Sequence, residues 1–418
     1  MVDAAGPRLA PPPAAARRGR AKTARIWWAI HQWVGLKLAI LLSFVFLTGT
    51  IAVFSSEIDW LLQPQMRVDP ATVSGPVNWP AIAGAVARHA PDAQINNIAG
   101  PLDKGFAAAA TIKRADGALA FVYAHPSTGA VQGDGHWVGA KRIFRNMHRH
   151  LMMPVKWGVP IVSSLAILLL ISLATSFVVY KKWWRGFFRP IRMTDARTAF
   201  GDFHRLAGLW TLWFVALMIL TGLWYLAEST GLKAPPSPRA KVAPAELSTL
   251  QTAARLPASL AAAQAANPDL RIEHIIFPTA KSGAFVFQGQ DKAILVRPRA
   301  NTVWTEAATG EARLVTDGRD LSVHQRISEM ADPLHFGTWG GLPTKIVWFA
   351  CGALLTGLSV SGVAIYGLRL LRADKRPGGV RDVLVRAWIG MGWWRWPALA
   401  LVITSFVLLP SVFGVAGD

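Results

Sequence analysis

The chain has 418 residues, of which 52% are hydrophobic and 16% are charged, and it contains 19 Trp against 4 Tyr. This composition lies outside the range of ordinary soluble domains and argues against a purely cytosolic enzyme. The formal net charge of +20 would suit nucleic-acid binding, but the basic residues stand beside long apolar runs, which is the pattern of membrane topology. The single cysteine, Cys351, excludes an intramolecular disulfide and thiolate-bound iron–sulfur or zinc centres.

Five apolar segments are each long enough, at roughly 20 helical residues, to cross the hydrocarbon core of a bilayer. The predicted fold class is therefore an α-helical integral membrane protein with about five transmembrane helices and two small α+β domains outside the membrane. In chain order, the predicted parts are a basic tail over 1–25, a span over 26–55, an outer domain over 56–147, a span over 148–180, a loop over 181–202, a span over 203–228, an outer domain over 229–334, a span over 335–368, a loop over 369–387 and a span over 388–413.

Lys and Arg concentrate on one side of these spans. Six of them lie in 1–25, seven in 181–205 and six in 369–386. Because positively charged short segments stay in the cytoplasm, the N-terminus and the two short loops are predicted to be cytoplasmic, and the long loops and the C-terminus to lie outside. The apolar run after the basic tail is too long for a signal peptide and lacks a small-residue cleavage site, so we interpret the tail as retained.

Each long outer loop has the pattern of a small α+β module. Residues 79–98 have the apolar spacing of a helix, and the stretch after them has the pattern of strands joined by turns at 116–117 and 127–129. The second loop repeats the order, with a helical pattern over 256–277 followed by strands over 283–312. A helix followed by a strand meander, found twice, indicates duplication.

The membrane spans repeat as well. HQWVGLKLAILLSFVFLTG, which begins at His31, aligns with HRLAGLWTLWFVALMILTG, which begins at His204, at an offset of 173 residues. This register superposes six identical residues, among them both histidines, a Gly-Leu pair and Leu-Thr-Gly. The repeat indicates two units of helix, outer domain and helix, with the last span outside the repeat. Functional sites of such proteins often lie between the halves.

His31 and His204 lie near the cytoplasmic ends of their spans. They follow Arg25 and Arg197 by six and seven residues, roughly 10 Å of helix. An ionisable side chain inside a span costs about 2.5 kcal/mol or more, so its presence is itself a functional hypothesis. The alternative for each is a hydrogen-bonded histidine at the membrane interface, and the repeat favours the functional role.

Two further histidine positions precede the returning spans. His148 lies 32 residues before Tyr180, and His335 lies 31 residues before Tyr366. As a continuous helix each stretch would measure about 45 Å, the bilayer with its headgroups, which places this pair at the outer surface. His150 competes with His148 for one role, and the spacing leaves both open. His335 could instead cap its helix or bind phosphate.

Two histidine pairs at opposite depths suit two haems, each held by two imidazoles. Neutral imidazole is a good iron ligand, and a haem fits an apolar slot between helices. Four glycines would let the macrocycle approach the backbone, although small residues also serve helix packing alone; they are Gly35, Gly49, Gly208 and Gly222. Two axial protein ligands leave no open position at the iron, which favours electron transfer over oxygen binding. No G-x-G-x-x-G follows a predicted strand, so no nicotinamide or flavin domain is expected.

Several motifs resemble those of the PepSY-associated transmembrane proteins: H-x-x-x-G-L with a downstream L-T-G, LHFG-x-x-G-G from Leu334, and TG-x-V-x-G from Thr128. The resemblance covers about 26–370. It implies a bacterial inner-membrane protein with PepSY-like periplasmic domains, and characterised relatives look like periplasmic ferric-siderophore reductases that carry two haems b. Carried over to this chain, the resemblance assigns haem ligation to His31, His204, His335 and the segment of His148 and His150.

The predicted function is one-electron transfer from a membrane or cytoplasmic donor, a quinol or a reductase, by way of two haems b to a ferric siderophore. Fe(II) has a lower charge than Fe(III), and hydroxamate or catecholate oxygens hold it poorly. The predicted partners are the ferric siderophore, the donor and the lipid bilayer, with no nucleic acid, and no residue is assigned a catalytic role. Two alternatives stay open: a non-catalytic PepSY membrane protein that binds or inhibits in the periplasm, and a transporter that couples protons through histidine.

Overall fold

A computed structural model describes residues 14–244, 246–374 and 378–411, with side chains described from residue 24 onward. Much of the predicted basic tail, the end of the last predicted span and the C-terminus predicted to be periplasmic lie outside the described residues. The chain falls into two compact units. The first takes in the chain up to Phe44, Ser164–Ile219 and Ala353–Val402, and the second takes in Val45–Ser163, Leu220–Gly352 and the chain from Ile403.

Helices and strands recur in the same order in the two halves of the chain. The elements are α1 (Ala14–Lys37), α2 (Ala39–Val53), α3 (Ser55–Leu62), α4 (Trp79–His89), β1 (Gln94–Ala99), β2 (Ala108–Lys113), β3 (Leu119–Ala124), β4 (Val131–His136), α5 (Ala140–His150), α6 (Val155–Val179), α7 (Ala196–Trp210), α8 (Leu212–Ser229), α9 (Thr249–Ala266), β5 (Arg271–Ile276), β6 (Ala284–Gln290), β7 (Asn301–Glu306), β8 (Ala312–Thr316), α10 (Val323–Phe336), α11 (Gly341–Ala373), α12 (Val380–Met391) and α13 (Arg395–Val407). The block from α4 to α6 thus has the same order as the block from α9 to α11.

Three of the described helices, α6, α8 and α11, are long and apolar enough to cross a membrane, and the bent pair of α1 and α2 would be a fourth if it forms one span. Little of α6 is buried within the protein although it is apolar along its length, and such a surface calls for lipid around it. The predicted span over 388–413 is not among them within the described residues. There α12 ends at Met391, Gly392 has a φ of +64°, and α13 has 13 residues. A fifth span stays a prediction.

The first and third predicted spans are interrupted at equivalent positions. Leu38 separates α1 from α2, with a bend of 65°, and Thr211 separates α7 from α8. These two residues are 173 positions apart, which is the offset of the sequence repeat. The hydroxyl of the buried Thr211 donates to the carbonyl of Ala207 at 2.7 Å, a bond to the preceding turn that often bends helices. Each of these two predicted spans thus consists of two consecutive helices.

The second and fourth spans start later than predicted, because a short separate helix precedes each. Leu151, directly after α5, has a φ of +54°, and Gly337, directly after α10, has a φ of +67°. These left-handed residues end the short helices before α6 and α11 begin. His148 and His335 therefore lie in the last turn of α5 and α10. The continuous helical length of about 45 Å on which their predicted depth rested does not apply.

The strands of the two outer loops form one continuous antiparallel sheet. Its eight strands have the order β4-β3-β2-β1-β5-β6-β7-β8, and β1 pairs with β5 at the centre, with Ile98 opposite Ile275. The order is symmetric about this central pair, as a duplicated module predicts. The turns predicted at 116–117 and 127–129 are confirmed, since they connect β2 to β3 and β3 to β4.

The two predicted outer helices are shorter than their sequence patterns. α4 ends at His89 and α9 ends at Ala266, and the remainder of each pattern forms the strands β1 and β5. Pro91 and Pro268 follow the two helix ends, and proline cannot continue the helical hydrogen bonding. The apolar spacing did not predict β1 and β5, and these two strands join the two modules.

Side-chain caps begin three helices of the second unit. The amide oxygen of Asn78 accepts from the backbone at the start of α4 at 3.2 Å. Ser248 with Gln251 and Ser322 with Gln325 form capping boxes at the starts of α9 and α10. Each box satisfies two backbone N–H groups that would otherwise lack a partner at a helix end.

One hydrophobic core serves both modules. α4 and α9 pack together on one face of the sheet, and the buried cluster there draws from both halves. Its fully buried members include Ile98, Val122, Leu256, Ile275 and Phe287. Burying one such side chain contributes about 1.5–3 kcal/mol. Because the contacts cross from one module to the other, the stabilities of the modules are coupled.

Replacing Ile275 with Ala should destabilise the first module as well as the second. A cavity in their shared core lowers the free energy of unfolding by about 2–5 kcal/mol, and both modules depend on that core. Hydrogen exchange of backbone amides over 94–113 should become faster. Ile294→Ala removes the same atoms from a side chain that is 73% exposed and should leave the exchange unchanged. Unchanged protection over 94–113 in Ile275→Ala would show that the modules are stable independently.

Candidate functional site

Histidine rings meet in pairs, one pair in each compact unit. In the first unit, the ring centroids of His31 on α1 and His204 on α7 are 6.4 Å apart, with an interplanar angle of 88°. In the second unit, the centroids of His148 on α5 and His335 on α10 are 6.0 Å apart, at 37°. Each pair thus joins one histidine from each half of the chain, in the combination that the repeat predicts.

Both histidines of the first unit are hydrogen-bonded through Nδ1. His31 Nδ1 lies 3.0 Å from the hydroxyl of Thr175 and 3.1 Å from the carbonyl of Ser172, both on α6. His204 Nδ1 lies 3.0 Å from the hydroxyl of Ser361 on α11. The two hydroxyls donate their own protons to carbonyls of their helices. They are therefore left to accept a proton from Nδ1.

The second unit repeats this arrangement. His148 Nδ1 lies 2.9 Å from the carbonyl of Val45 on α2, and His335 Nδ1 lies 2.8 Å from the hydroxyl of Thr221 on α8. A carbonyl can only accept, so the proton of His148 is on Nδ1. Among the described residues, no hydrogen bond involves Nε2 of any of these four rings. A ring oriented through Nδ1–H, with Nε2 carrying the lone pair, has the arrangement of a metal-ligating histidine.

Glycine lets His148 approach α2. A Cβ on Gly49 would lie 2.6 Å from Nδ1 and Cε1 of the His148 ring. Gly49 therefore makes room for the histidine itself, whereas the sequence had suggested room for a macrocycle. At Gly35, one turn after His31, a Cβ would have no atom within 4 Å, and at Gly208 its nearest neighbour would be 3.6 Å away. There is thus open space at Gly35, whereas a side chain at Gly208 would make ordinary contact with Leu358.

α5 turns His148, and not His150, toward His335. Two residues along a helix correspond to a rotation of about 200°, so the two histidines face opposite sides. His150 is buried at the end of α5, where its backbone lies close to Gly158 of α6.

A polar network that the sequence analysis missed adjoins His335. The ring centroids of Tyr225 and His335 are 5.3 Å apart, and the Tyr225 hydroxyl donates to Asp332 at 2.7 Å. Arg297 donates to Asp332 and to Glu329, both at 2.7 Å. Asp332 lies three positions before His335, hence on its side of α10, and Glu329 lies three positions before Asp332. Acidic residues at this spacing from a candidate histidine were the signal available in the sequence.

Residues 28–369 match the sequence profile of the family described as the PepSY-associated TM region. The chain belongs to this family. The match includes both histidine pairs and the whole sheet of this PepSY-associated TM protein, and it ends before α12 and α13. Comparison with curated proteins finds no match.

In this PepSY-associated TM protein, Gly49→Ala should displace His148, because the added methyl would stand 2.6 Å from its ring. The side-chain resonances of His148 in ¹⁵N-histidine-labelled protein should shift. Gly35→Ala adds the same methyl to the same predicted span, where no atom lies within 4 Å, and should leave them in place. The packing of Gly49 against His148 is refuted if Gly49→Ala leaves these resonances unshifted.

Proposed function

We propose that the protein is a di-haem b electron-transfer protein of the bacterial inner membrane that reduces ferric siderophores in the periplasm and so takes part in iron uptake. The observation that carries the proposal is the presence of two histidine pairs. Each brings two imidazoles from different halves of the chain to about the separation that one iron requires, and each ring is held through Nδ1 with Nε2 left for the metal.

The ring separations fit a shared metal ion. Histidine nitrogens bind metal ions at about 2.0–2.1 Å, so two imidazoles that share one ion lie with their rings several ångströms apart. The two pairs measure 6.4 and 6.0 Å. The described residues contain no group of three or more His, Cys, Asp or Glu side chains that could hold a metal ion. Haem iron needs only two protein ligands, because the porphyrin supplies the other nitrogens.

In this proposal His31 with His204, and His148 with His335, would each hold one haem. Haem b would supply reversible one-electron Fe(III)/Fe(II) chemistry when bound. Hydrogen bonds from Nδ1 to Thr175, Ser361, Val45 and Thr221 fix the four rings and raise the basicity of Nε2. Two histidines for each haem would favour electron transfer over oxygen binding.

The topology follows from the distribution of Lys and Arg. The N-terminus and the loops over 181–202 and 369–387 are cytoplasmic in the proposal, and the sheet, as a pair of PepSY-like domains, and the C-terminus are periplasmic. Each ferric ion takes up one electron, and the donor, a quinol or a reductase, gives up the same number. The siderophore oxygens then hold the resulting Fe(II) less tightly, and iron is released.

His31→Ala or His204→Ala should each remove one haem of two, because each pair belongs to a different site. A pyridine haemochrome count on the purified protein measures this. His150→Ala, which replaces a histidine outside the pairs, should retain both haems. A single change that strips both haems from folded protein would contradict two independent sites. A wild-type protein without a Soret band would favour the non-catalytic PepSY protein or the histidine-dependent transporter.

His335→Ala should abolish electron delivery to a ferric siderophore while the first-unit haem remains reducible, because the substrate stays on the periplasmic side. The variant is reduced anaerobically, ferric siderophore is added, and reoxidation of the remaining haem is followed optically. His148→Ala should reproduce the defect and His150→Ala should not. Reoxidation of His335→Ala at the wild-type rate would show that this pair is not on the path.

A further inference from the structure

α5 carries three cations on the side that carries His148. Lys141 and Arg145 lie seven and three residues before His148, and Arg149 lies one residue after it. At about 100° per residue, these four side chains fall within a stripe about 100° wide. The other side of the helix packs into the protein, where Met147 is buried. The histidine and the cations therefore share one surface.

These cations have no acidic partner within the described part of the chain: none has a carboxylate at ion-pair distance. The nearby carboxylates are already engaged. Asp59 accepts from two backbone N–H groups at the start of α5, at 2.6 and 2.9 Å. Glu57 is paired with Lys345, and Asp332 is paired with Arg297 at 2.7 Å. The three cations of α5 are left to attract an anion from outside the chain.

Lys141 and Arg145 are both exposed at the surface of α5. Desolvation lowers the pKa of each, while the charges of nearby carboxylates oppose these shifts without forming an ion pair. Burial lowers the pKa of His274 on β5, and the positive charge of Lys141 adds to that shift. His274 lies on the sheet face away from the shared core, so the charge of Lys141 acts on that face of the sheet.

We infer that the cationic side of α5, with Lys141, Arg145 and Arg149, is the docking site of the substrate, and that it selects ferric chelates of net negative charge over uncharged or cationic ones. The inference rests on the proposed function, since that function supplies the ferric substrate. Along the helix Lys141 is about 10 Å and Arg145 about 4.5 Å from His148, so an anion held by these cations lies near the pair of His148 and His335. Ammonium and guanidinium groups form strong charge-assisted hydrogen bonds with carboxylate and catecholate oxygens.

The carboxylates of a haem are the other anions that these cations could neutralise. Arg149 adjoins His148 in the chain, and Arg145 lies one helical turn before His148 on the same side of α5. Lys141 is the member of the stripe farthest from His148 along α5. Haem content and substrate binding therefore have to be measured on the same variants.

The test uses the purified holoprotein in detergent and gallium(III) complexes, because Ga(III) has the charge of Fe(III) and is not reduced. Binding of trianionic gallium tris-catecholate and of uncharged gallium tris-hydroxamate is measured by equilibrium dialysis. The trianion should bind at least about tenfold more tightly and should weaken as salt is added.

The Lys141→Gln/Arg145→Gln double variant should lose at least about tenfold in affinity for the trianion, with the uncharged complex unaffected. Lys113→Gln, which removes an exposed cation from β2, is the matched control and should bind as the wild type does.

Equal or tighter binding of the uncharged complex by the wild type would overturn the inference. A double variant that keeps its affinity for the trianion would also overturn the inference. If that variant in addition loses haem, the cations of α5 bind the haem carboxylates. Charge-selective binding of the gallium trianion by a protein that reduces no ferric complex would leave the anion site standing and refute the proposed reduction.

Discussion

Each of the four paired histidines depends on a hydrogen bond at Nδ1, and the arrangement of the helices follows from these bonds. A buried polar nitrogen without a partner costs about 1–3 kcal/mol or more, and in an apolar surrounding no water relieves it. In every case the acceptor belongs to a different helix from the histidine: α6 serves α1, α11 serves α7, α2 serves α5 and α8 serves α10. The bonds therefore tie helices together while they orient the rings.

Duplication explains why these bonds come in equivalent sets. The helix interruptions at Leu38 and Thr211 have the same offset as His31 and His204, and the short helices α5 and α10 each end in a left-handed residue before a long apolar helix. The sheet follows the same symmetry. A four-stranded module would expose the unpaired N–H and C=O groups of its first strand, and pairing of β1 with β5 removes both edges at once.

The two halves have diverged in charge around the second pair. Arg145 lies three residues before His148, and Asp332 lies three residues before His335. On α10 the acidic residues Glu329 and Asp332 are paired with Arg297 and Arg299, whereas the cations of α5 have no carboxylate at ion-pair distance in the described chain. A symmetric scaffold thus carries an asymmetric surface, with its uncompensated positive charge beside one histidine of the pair.

Composition and periodicity determined the membrane class and the duplication, and they singled out His31, His204 and His335 while leaving His148 and His150 as alternatives, because apolar runs, offsets and residue types are local properties of the chain. They did not reveal β1 and β5, since the apolar spacing of α4 and α9 runs on into both strands and only pairing between the two modules makes those segments extended. The choice of His148 over His150 and the network of Tyr225 with Asp332 were likewise decided by the tertiary structure. Both depend on contacts between residues far apart in the chain, such as Val45 with His148 or Thr221 with His335, and such contacts leave no periodic trace in the sequence.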